Sequence, residues 1–199
     1  MTPPMSVGEQ VGVELAALVE RVRLSMVRIG TSANNLGSGT IWDASGLIVT
    51  NAHVAFGDDL QVTTADGRLS SARLVGLQHE TDIAVLRVNV DGLLPIERGD
   101  PRETRPGELV FSMGHPWGSE DGLTVGVFIG LERALPGKRG AGANWIAASL
   151  HLRPGHSGGP MFDGRGRLLG LNTVMQGPDV GVAVPVHTID QIVREVPQL

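Results

Sequence analysis

Short apolar runs separated by Gly, Asp and Asn dominate the chain from residue 25 onward. Runs that are rich in β-branched residues and bounded by turn residues predict β-strands. About six lie in residues 25–97 and about six more in residues 108–186, and no sequence repeat relates the two groups. Asp66-Gly67, between two of the runs, predicts a tight hairpin. The predicted strands are Met26–Gly30, Gly39–Trp42, Gly46–Thr50, Asp59–Thr64, Leu69–Gly76, Ile83–Val88, Glu108–Met113, Leu123–Ile129, Trp145–Leu152, Gly159–Phe162, Arg167–Val174 and Val180–Val186.

The two ends of the chain follow a helical period instead. Apolar residues recur every three or four positions within residues 1–24, which predicts an amphipathic helix. Ser6 and Glu9 are spaced to form a capping box at its start. This helix either packs against the body of the protein or makes an oligomer contact. A second, short helix is predicted within residues 187–199, with Thr188 and Gln191 as its capping box.

Residues 98–107 form a polar stretch with two prolines between the two groups of strands. Such a stretch is typical of a surface connection between lobes. Six strands are enough to close a small barrel. The pattern therefore predicts an all-β chain with two lobes, 25–97 and 108–186.

Composition excludes several classes of protein. The 199 residues include no cysteine, so a disulfide and a thiol nucleophile are both excluded, and a reducing compartment is favoured. A net charge of -5 disfavours a nucleic-acid surface. No run of about 18 apolar residues exists to span a membrane. Residues 1–5 lack the basic and apolar segments of a signal peptide, so we expect a cytoplasmic protein.

Three short motifs carry candidate chemistry. They are Thr50-Asn51-Ala52-His53-Val54, Thr81-Asp82-Ile83-Ala84-Val85-Leu86 and Gly155-His156-Ser157-Gly158-Gly159-Pro160. A serine hydroxyl needs a base to take its proton, and that base needs a partner to hold its tautomer. The order histidine, aspartate, serine is that of the chymotrypsin type. We therefore predict a triad of His53, Asp82 and Ser157.

With these motifs in place, the sequence resembles the trypsin-like serine proteases of the chymotrypsin fold, and most closely the HtrA/Deg protease domain. The resemblance runs from about residue 25 to about residue 190. It implies two six-stranded antiparallel β-barrels, with His53 and Asp82 on the first and Ser157 on the second. It also implies a serine endopeptidase that needs no metal or cofactor. Further matching stretches are Gly37-Ser38-Gly39-Thr40, Gly114-His115-Pro116-Trp117-Gly118 and Gly170-Leu171-Asn172-Thr173.

The loop around Ser157 predicts an oxyanion hole formed by Gly155, His156 and Ser157, with the backbone N–H groups of Gly155 and Ser157 aimed at one point. We expect Gly158 and Gly159 to let the substrate backbone approach closely. His156 departs from both the Asp of many trypsin-like zymogens and the Asn that is usual in HtrA-type domains. Activation by cutting a new N-terminus is therefore not expected.

Substrate contacts are predicted for Leu152, Asn172, Thr173 and Val174, which suggest an apolar pocket. Residues 149–154 carry no carboxylate for a basic P1 side chain. We therefore expect a small or aliphatic P1 residue. The alternative is that His151 lines the pocket and favours an acidic P1. His151 and His156 are five positions apart, and we interpret both as loop residues rather than metal ligands.

The chain ends at Leu199, directly after the second predicted helix, so we expect no PDZ domain. A polypeptide substrate is the expected partner, with an activating or inhibitory protein as a further one. We expect a monomer or a small homo-oligomer, a trimer included. Two other functions stay open: a protease-like module that binds peptides with a latent or inactive site, and an esterase that uses the same triad.

Overall fold

The computed structural model describes residues 5–31, 34–118, 122–132 and 145–196 of the chain. In these parts twelve strands form two barrels, each of six strands, with one helix at either end. The first barrel contains β1 Met26–Gly30, β2 Asn35–Ile41, β3 Leu47–Thr50, β4 Gln61–Thr64, β5 Leu69–Gln78 and β6 Ile83–Val88. The second contains β7 Leu109–Gly114, β8 Gly122–Glu132, β9 Trp145–Ser149, β10 Pro160–Asp163, β11 Leu168–Met175 and β12 Val180–Pro185.

Both barrels are antiparallel and have the same strand order. The first runs β1-β2-β3-β6-β5-β4 and closes through β1 and β4, and the second runs β7-β8-β9-β12-β11-β10 and closes through β7 and β10. The predicted fold class, an all-β chain of two six-stranded antiparallel barrels of the chymotrypsin type with a helix at each end, is confirmed. The barrels therefore share a topology although no sequence repeat relates them.

Buried apolar residues form three clusters, which explain how the two barrels and the helices are held together. One cluster fills the first barrel and includes Ile29, Ile48 and Leu86, and another fills the second and includes Ile146 and Met161. The third lies between the barrels and includes side chains from both of them and from both helices. Burial of apolar area is the main favourable contribution to folding, so this shared cluster holds the two barrels in a fixed relation.

The N-terminal helix α1 spans Val7–Arg23. Its predicted capping box is confirmed, since Glu9 N donates to Ser6 Oγ at 3.3 Å and Ser6 N donates to Glu9 Oε2 at 2.7 Å. The buried residues of this helix are Leu18 and Val22, so its last turns pack against the body while its first turns are exposed. Residues 1–4 of the predicted helical segment lie outside the described residues.

The C-terminal helix α2 spans Val186–Glu195. The predicted capping box of Thr188 and Gln191 was wrong: Pro185 is the N-cap residue, and no side chain caps the helix. Strand β12 leads directly into this helix, so Thr188 already lies inside it and is buried. Residues 197–199 lie outside the described part of the chain. None of the described helices combines the length and apolar character needed to cross a membrane.

Candidate active site

His53 and Asp82 meet at one end of the first barrel. His53 follows β3 and Asp82 precedes β6, and these two strands are antiparallel neighbours in which Thr50 is paired with Ala84. The end of one strand therefore lies beside the start of the other. His53 Nδ1 is 2.9 Å from Asp82 Oδ2 and 3.0 Å from Oδ1. An imidazole held in this way donates Nδ1–H to the carboxylate and leaves Nε2 to accept a proton.

The backbone of Asp82 is fixed to the segment that carries the histidine. Asn51 Nδ2 and Ala52 N donate to the Asp82 carbonyl oxygen, at 3.0 and 3.1 Å. The His53 amide also donates to Asp82 Oδ1, at 3.2 Å. Asp82 has a φ of 59°, a left-handed conformation that aspartate tolerates better than most residues. These bonds hold a buried carboxylate against a more exposed imidazole.

Thr173 connects the two barrels at this point. Its hydroxyl donates to Asp82 Oδ2 at 2.5 Å, and its carbonyl oxygen accepts the Ser157 hydroxyl at 3.2 Å. The sequence predicted Thr173 as a substrate contact and gave no sign of the bond to Asp82, because 91 positions separate the two residues. The Asp82 carboxylate therefore receives hydrogen bonds from His53 and from the second barrel, as a buried carboxylate requires.

Ser157 lies in the loop between β9 and β10, on the second barrel. Its hydroxyl donates to Thr173, and within the described residues no hydrogen bond joins it to His53. The hydroxyl has to leave this bond before its proton can pass to the imidazole. Catalytic hydrogen bonds are commonly long or misaligned before substrate binds.

The loop that carries Ser157 has its backbone carbonyl groups fixed by hydrogen bonds, several of them from the first barrel. Every carbonyl oxygen from residue 153 to residue 158 accepts a hydrogen bond. The donors are His156 N to Arg153 O (2.9 Å), Trp117 N to Pro154 O (3.1 Å), Ser38 Oγ and His115 N to Gly155 O (2.8 and 3.1 Å), Gly159 N to His156 O (2.9 Å), Ser38 N to Ser157 O (2.9 Å) and Thr40 Oγ1 to Gly158 O (3.1 Å).

Two backbone amides of this loop are left without a protein acceptor among the described residues, those of Gly155 and Ser157. Both residues are partly buried, and backbone N–H groups that no protein atom accepts remain able to donate to a ligand. Two such donors beside a nucleophile are suited to hold the negative oxygen of a tetrahedral intermediate. The His156 amide, which we included in the predicted hole, donates to Arg153 instead and is not available to a substrate.

The bond from His156 to Arg153 closes a turn with Pro154 and Gly155 at its centre. Gly155 has a φ of +102°, and proline followed by a residue with positive φ is typical of a type II turn. A Cβ at Gly155 would lie 2.2 Å from the His115 carbonyl oxygen. This turn directs the Pro154 carbonyl toward Trp117 and so directs the Gly155 N–H the opposite way.

The two glycines after Ser157 have a different role from the one predicted. A Cβ at Gly158 would lie 2.1 Å from the Ser38 carbonyl oxygen, and one at Gly159 would lie 2.2 Å from the Met113 carbonyl oxygen. The protein's own backbone, rather than a substrate, makes the close approach at both positions. Gly158 also has a φ of +79°, which favours glycine.

The other predicted substrate contacts differ in placement. Leu152 is buried and its amide donates to Met175 Sδ at 3.1 Å, whereas Val174 is only partly buried. The Asn172 side chain is fully buried, and its amide donates to the carbonyls of Met113 and Pro160. It therefore ties strands of the second barrel together, and the structure does not bring its amide group to the cleft.

His151, the predicted alternative pocket residue, is exposed, and its Nδ1 lies 3.2 Å from the Pro178 carbonyl oxygen. The described part of the chain contains no group of three or more His, Cys, Asp or Glu side chains that could hold a metal ion.

Two further histidines are buried at the catalytic loop, His156 within it and His115 beside it. Burial lowers the pKa of His115 to about 4, and burial also lowers the pKa of His156. His115 Nδ1 lies 2.9 Å from Ser38 Oγ, and His156 Nε2 is buried without a partner in the described residues. Both side chains are therefore neutral in the folded protein at neutral pH.

His115 should make stability depend on pH. Its folded pKa is below its ordinary value of 6.5, so between pH 6.5 and 4 the unfolded chain binds a proton that the folded chain does not. The contribution of neutral His115 to the free energy of unfolding is fully present above pH 6.5 and falls as the pH is lowered toward 4. The free energy of unfolding that is lost in this way reaches about 3 kcal/mol, at about 1.4 kcal/mol per pKa unit.

The measurement is the free energy of unfolding in denaturant at a series of pH values, for the parent protein and for His115→Asn. Asparagine keeps a donor for Ser38 Oγ and does not titrate, so we expect its profile to be flatter below pH 6.5. Comparison of the two proteins at pH 7.5 separates any packing loss from the titration. Parallel profiles down to pH 4 would contradict the assignment.

Comparisons with known proteins agree with this geometry. A family model described as the trypsin-like peptidase domain matches residues 37–171. "Protease Do-like 1, chloroplastic" of Arabidopsis thaliana is 39% identical over 172 residues, covering 79% of this chain and 39% of the relative. "Serine endoprotease DegS" of Haemophilus influenzae is 29% identical over 171 residues, covering 82% and 50%. This chain thus spans half or less of the length of both relatives.

A similar solved structure is described as "HtrA-type protease AlgW with tripeptide". It superposes with a TM-score of 0.82 at 30% sequence identity, over 90% of this chain and 62% of that one.

Proposed function

Because the chain belongs to the trypsin-like peptidase domain family and is similar to the HtrA/Deg proteases, we propose that it is a serine endopeptidase. The observation that carries the proposal is that the backbone amides of Gly155 and Ser157, which have no acceptor among the described residues, accompany an imidazole whose Nδ1 is held by a buried carboxylate. One arrangement stabilises a developing oxyanion, and the other keeps a base in its productive tautomer.

The reaction proceeds through an acyl-enzyme. Ser157 Oγ attacks the carbonyl carbon of the scissile bond while its proton passes to His53 Nε2, and the oxyanion binds the amides of Gly155 and Ser157. His53 then gives the proton to the leaving amine as the C–N bond breaks. Water, deprotonated by His53, attacks the ester, and the proton returns to Ser157 Oγ as the acid product leaves.

Labelling with a fluorophosphonate probe tests the proposal against its main alternative, a peptide-binding module with a latent site. The bond from Ser157 to Thr173 is the observation that favours the alternative, because the hydroxyl donates its proton to a carbonyl oxygen and not to the base. A working endopeptidase incorporates the probe, and Ser157→Ala does not. Folded parent protein that stays unlabelled while it binds peptides would establish the alternative.

For the P1 position we propose a small or aliphatic side chain. Leu150, Leu152 and Met175 belong to one apolar cluster near the catalytic loop, and residues 149–154 contain no carboxylate. An apolar pocket discriminates strongly against a charged side chain, which it would have to desolvate.

Peptides that differ only at P1 provide the measurement. We expect kcat/KM for Val, Ala, Leu or Met to exceed that for Lys or Asp by at least about tenfold, since a change of about 1.4 kcal/mol gives that factor. A preference for Asp that disappears in His151→Ala would contradict this proposal and assign His151 to the pocket. A preference for Lys would contradict both assignments.

A further inference from the structure

Ser38 connects the first barrel to the turn that carries the predicted oxyanion hole. It lies on β2 and is fully buried, and among the described residues none of its hydrogen bonds reaches the reacting groups of the triad. Its amide donates to the Ser157 carbonyl oxygen at 2.9 Å and its hydroxyl to the Gly155 carbonyl oxygen at 2.8 Å. One residue therefore holds the carbonyl groups of both Gly155 and Ser157.

The hydroxyl of Ser38 is itself oriented by His115. The backbone amide of His115 is 3.0 Å from Ser38 Oγ, and His115 Nδ1 is 2.9 Å from the same atom. A serine hydroxyl has one proton, and Gly155 receives it, so the imidazole must donate through Nδ1–H. His115 is therefore the Nδ1–H tautomer, and it fixes the direction in which the Ser38 proton points.

Two neighbouring peptide planes determine where the Gly155 amide points. The Pro154 carbonyl and the Gly155 N–H share the first plane, which the bond from Trp117 N fixes, and Ser38 and His115 hold the second plane, between Gly155 and His156, through the Gly155 carbonyl. Because both planes are held, the Gly155 residue cannot rotate freely, and its N–H keeps the direction opposite to the Pro154 carbonyl. Trp117 is exposed and has a φ of 52°, a rare conformation for a bulky residue that persists where surrounding structure imposes it.

From these contacts we propose that Ser38 is a positioning residue for the oxyanion hole, acting through the Gly155 carbonyl and oriented by His115. The proposal rests on the endopeptidase function proposed above. It assigns to Ser38 an effect on the transition state and none on ground-state binding of the peptide, because the turn it holds contacts the oxyanion that forms during the reaction.

Ser38→Ala removes the hydroxyl and leaves the backbone bond to Ser157. We expect kcat to fall by about 10- to 100-fold, less than the 10²- to 10³-fold typical of losing an oxyanion donor, with KM changed by less than about threefold. A peptide boronic acid, whose adduct with Ser157 places an oxygen in the hole, should lose affinity by a similar factor. Binding of the uncleaved peptide, compared between Ser157→Ala and the double variant with Ser38→Ala, should not change.

Thr40→Val is the matched control. Thr40 lies two positions further along the same strand, is also fully buried, and its hydroxyl also donates to a carbonyl of the catalytic loop, that of Gly158. If these hydroxyls serve only to pack the barrels together, both variants lose activity and stability alike. The proposal requires kcat to fall further in Ser38→Ala than in Thr40→Val, because only Ser38 holds a carbonyl of the turn that contains the Gly155 amide, and the thermal midpoints of both variants are measured.

Equal losses in the two variants, an effect confined to KM, or unchanged kcat in folded Ser38→Ala would each overturn the proposal. If Ser38→Ala does not fold, Ser38→Cys, which is close in size but a weak donor, takes its place under the same expectations. A parent protein that neither cleaves peptides nor takes up the fluorophosphonate overturns the proposed function itself. If the parent protein is active and Ser38→Ala has the parental kcat, only the proposed role of Ser38 is overturned.

Discussion

Replacing Ser157 by Ala is expected to lower kcat on a peptide substrate by a factor on the order of 10⁴–10⁶. The variant retains His53, Asp82 and both amides of the proposed oxyanion hole, so it loses the proposed nucleophile and little else. Since alanine differs from serine by one oxygen whose only described bond is to Thr173, the fold should persist. A residual rate above that in water is expected from the oxyanion hole and substrate binding.

The measurement is single-turnover cleavage of a peptide with an aliphatic P1 residue, together with the thermal midpoint. Ser71→Ala, which removes an exposed hydroxyl on β5, is the matched control and should cleave at the parental rate. Retention of more than about a tenth of the parental rate by Ser157→Ala would show that another group is the nucleophile, because a triad acts as a unit.

The sequence pattern predicted the strands well because they are short, apolar and bounded by turn residues, and the family resemblance then implied the two barrels. The helix at Val7–Arg23 could be predicted in the same way, from the helical period of its apolar residues and from its capping box. Strand ends were less accurate: β9 ends at Ser149, three residues before the predicted Leu152. Leu150 and Leu152 are apolar and buried like strand residues, yet they belong to the loop that leads to Ser157. Apolar burial alone does not distinguish these two structures.

The motif residues His53 and Asp82 could be predicted because short local patterns mark them. The residues that orient them could not, because their partners are remote in sequence. Thr173 meets Asp82 across 91 positions, and Ser38 meets His115 across 77 and Gly155 across 117. Nothing in the local sequence around a buried hydroxyl indicates which distant carbonyl it will bind.

The glycines of the catalytic loop also have remote partners that the sequence does not reveal. Their number correctly suggested a tightly bent loop, since Gly155 and Gly158 both have positive φ. The sequence suggested that Gly158 makes room for substrate, whereas the structure places the Ser38 carbonyl and Thr50 Oγ1 where its Cβ would be. A need for glycine can thus be predicted from sequence without identifying the neighbour that imposes it.

The site depends on both barrels in a way that follows from these contacts. The first barrel supplies the imidazole and carboxylate and also fixes the loop of the second through Ser38 and Thr40. The second supplies the proposed nucleophile and fixes the carboxylate of the first through Thr173. Each barrel therefore orients the proposed catalytic groups of the other, and the apolar cluster between them maintains that relation.

Replacing Asp82 by Asn is expected to lower kcat by about 10⁴-fold while leaving the fold intact. An asparagine side chain has one acceptor oxygen where the carboxylate has two, and Thr173 Oγ1 and the His53 amide both need an acceptor. The amide NH₂ is then left facing His53 Nδ1, which must accept from it. The imidazole proton moves to Nε2, the atom that has to receive the proton of Ser157, so the base is lost although its position is kept.

Asparagine is the informative substitution because of the backbone at this position. A φ of 59° is tolerated by Asn about as well as by Asp, whereas Ala would add strain and leave the Thr173 hydroxyl without its acceptor. We therefore expect Asp82→Asn to unfold near the parental temperature and Asp82→Ala to unfold at a lower one. Asp100→Asn, at a carboxylate paired with Arg102 on the inter-barrel connection, controls for the loss of one negative charge and should leave kcat unchanged. Folded Asp82→Asn that turns over within about tenfold of the parent would remove Asp82 from the triad, because an imidazole in the wrong tautomer cannot act as the base.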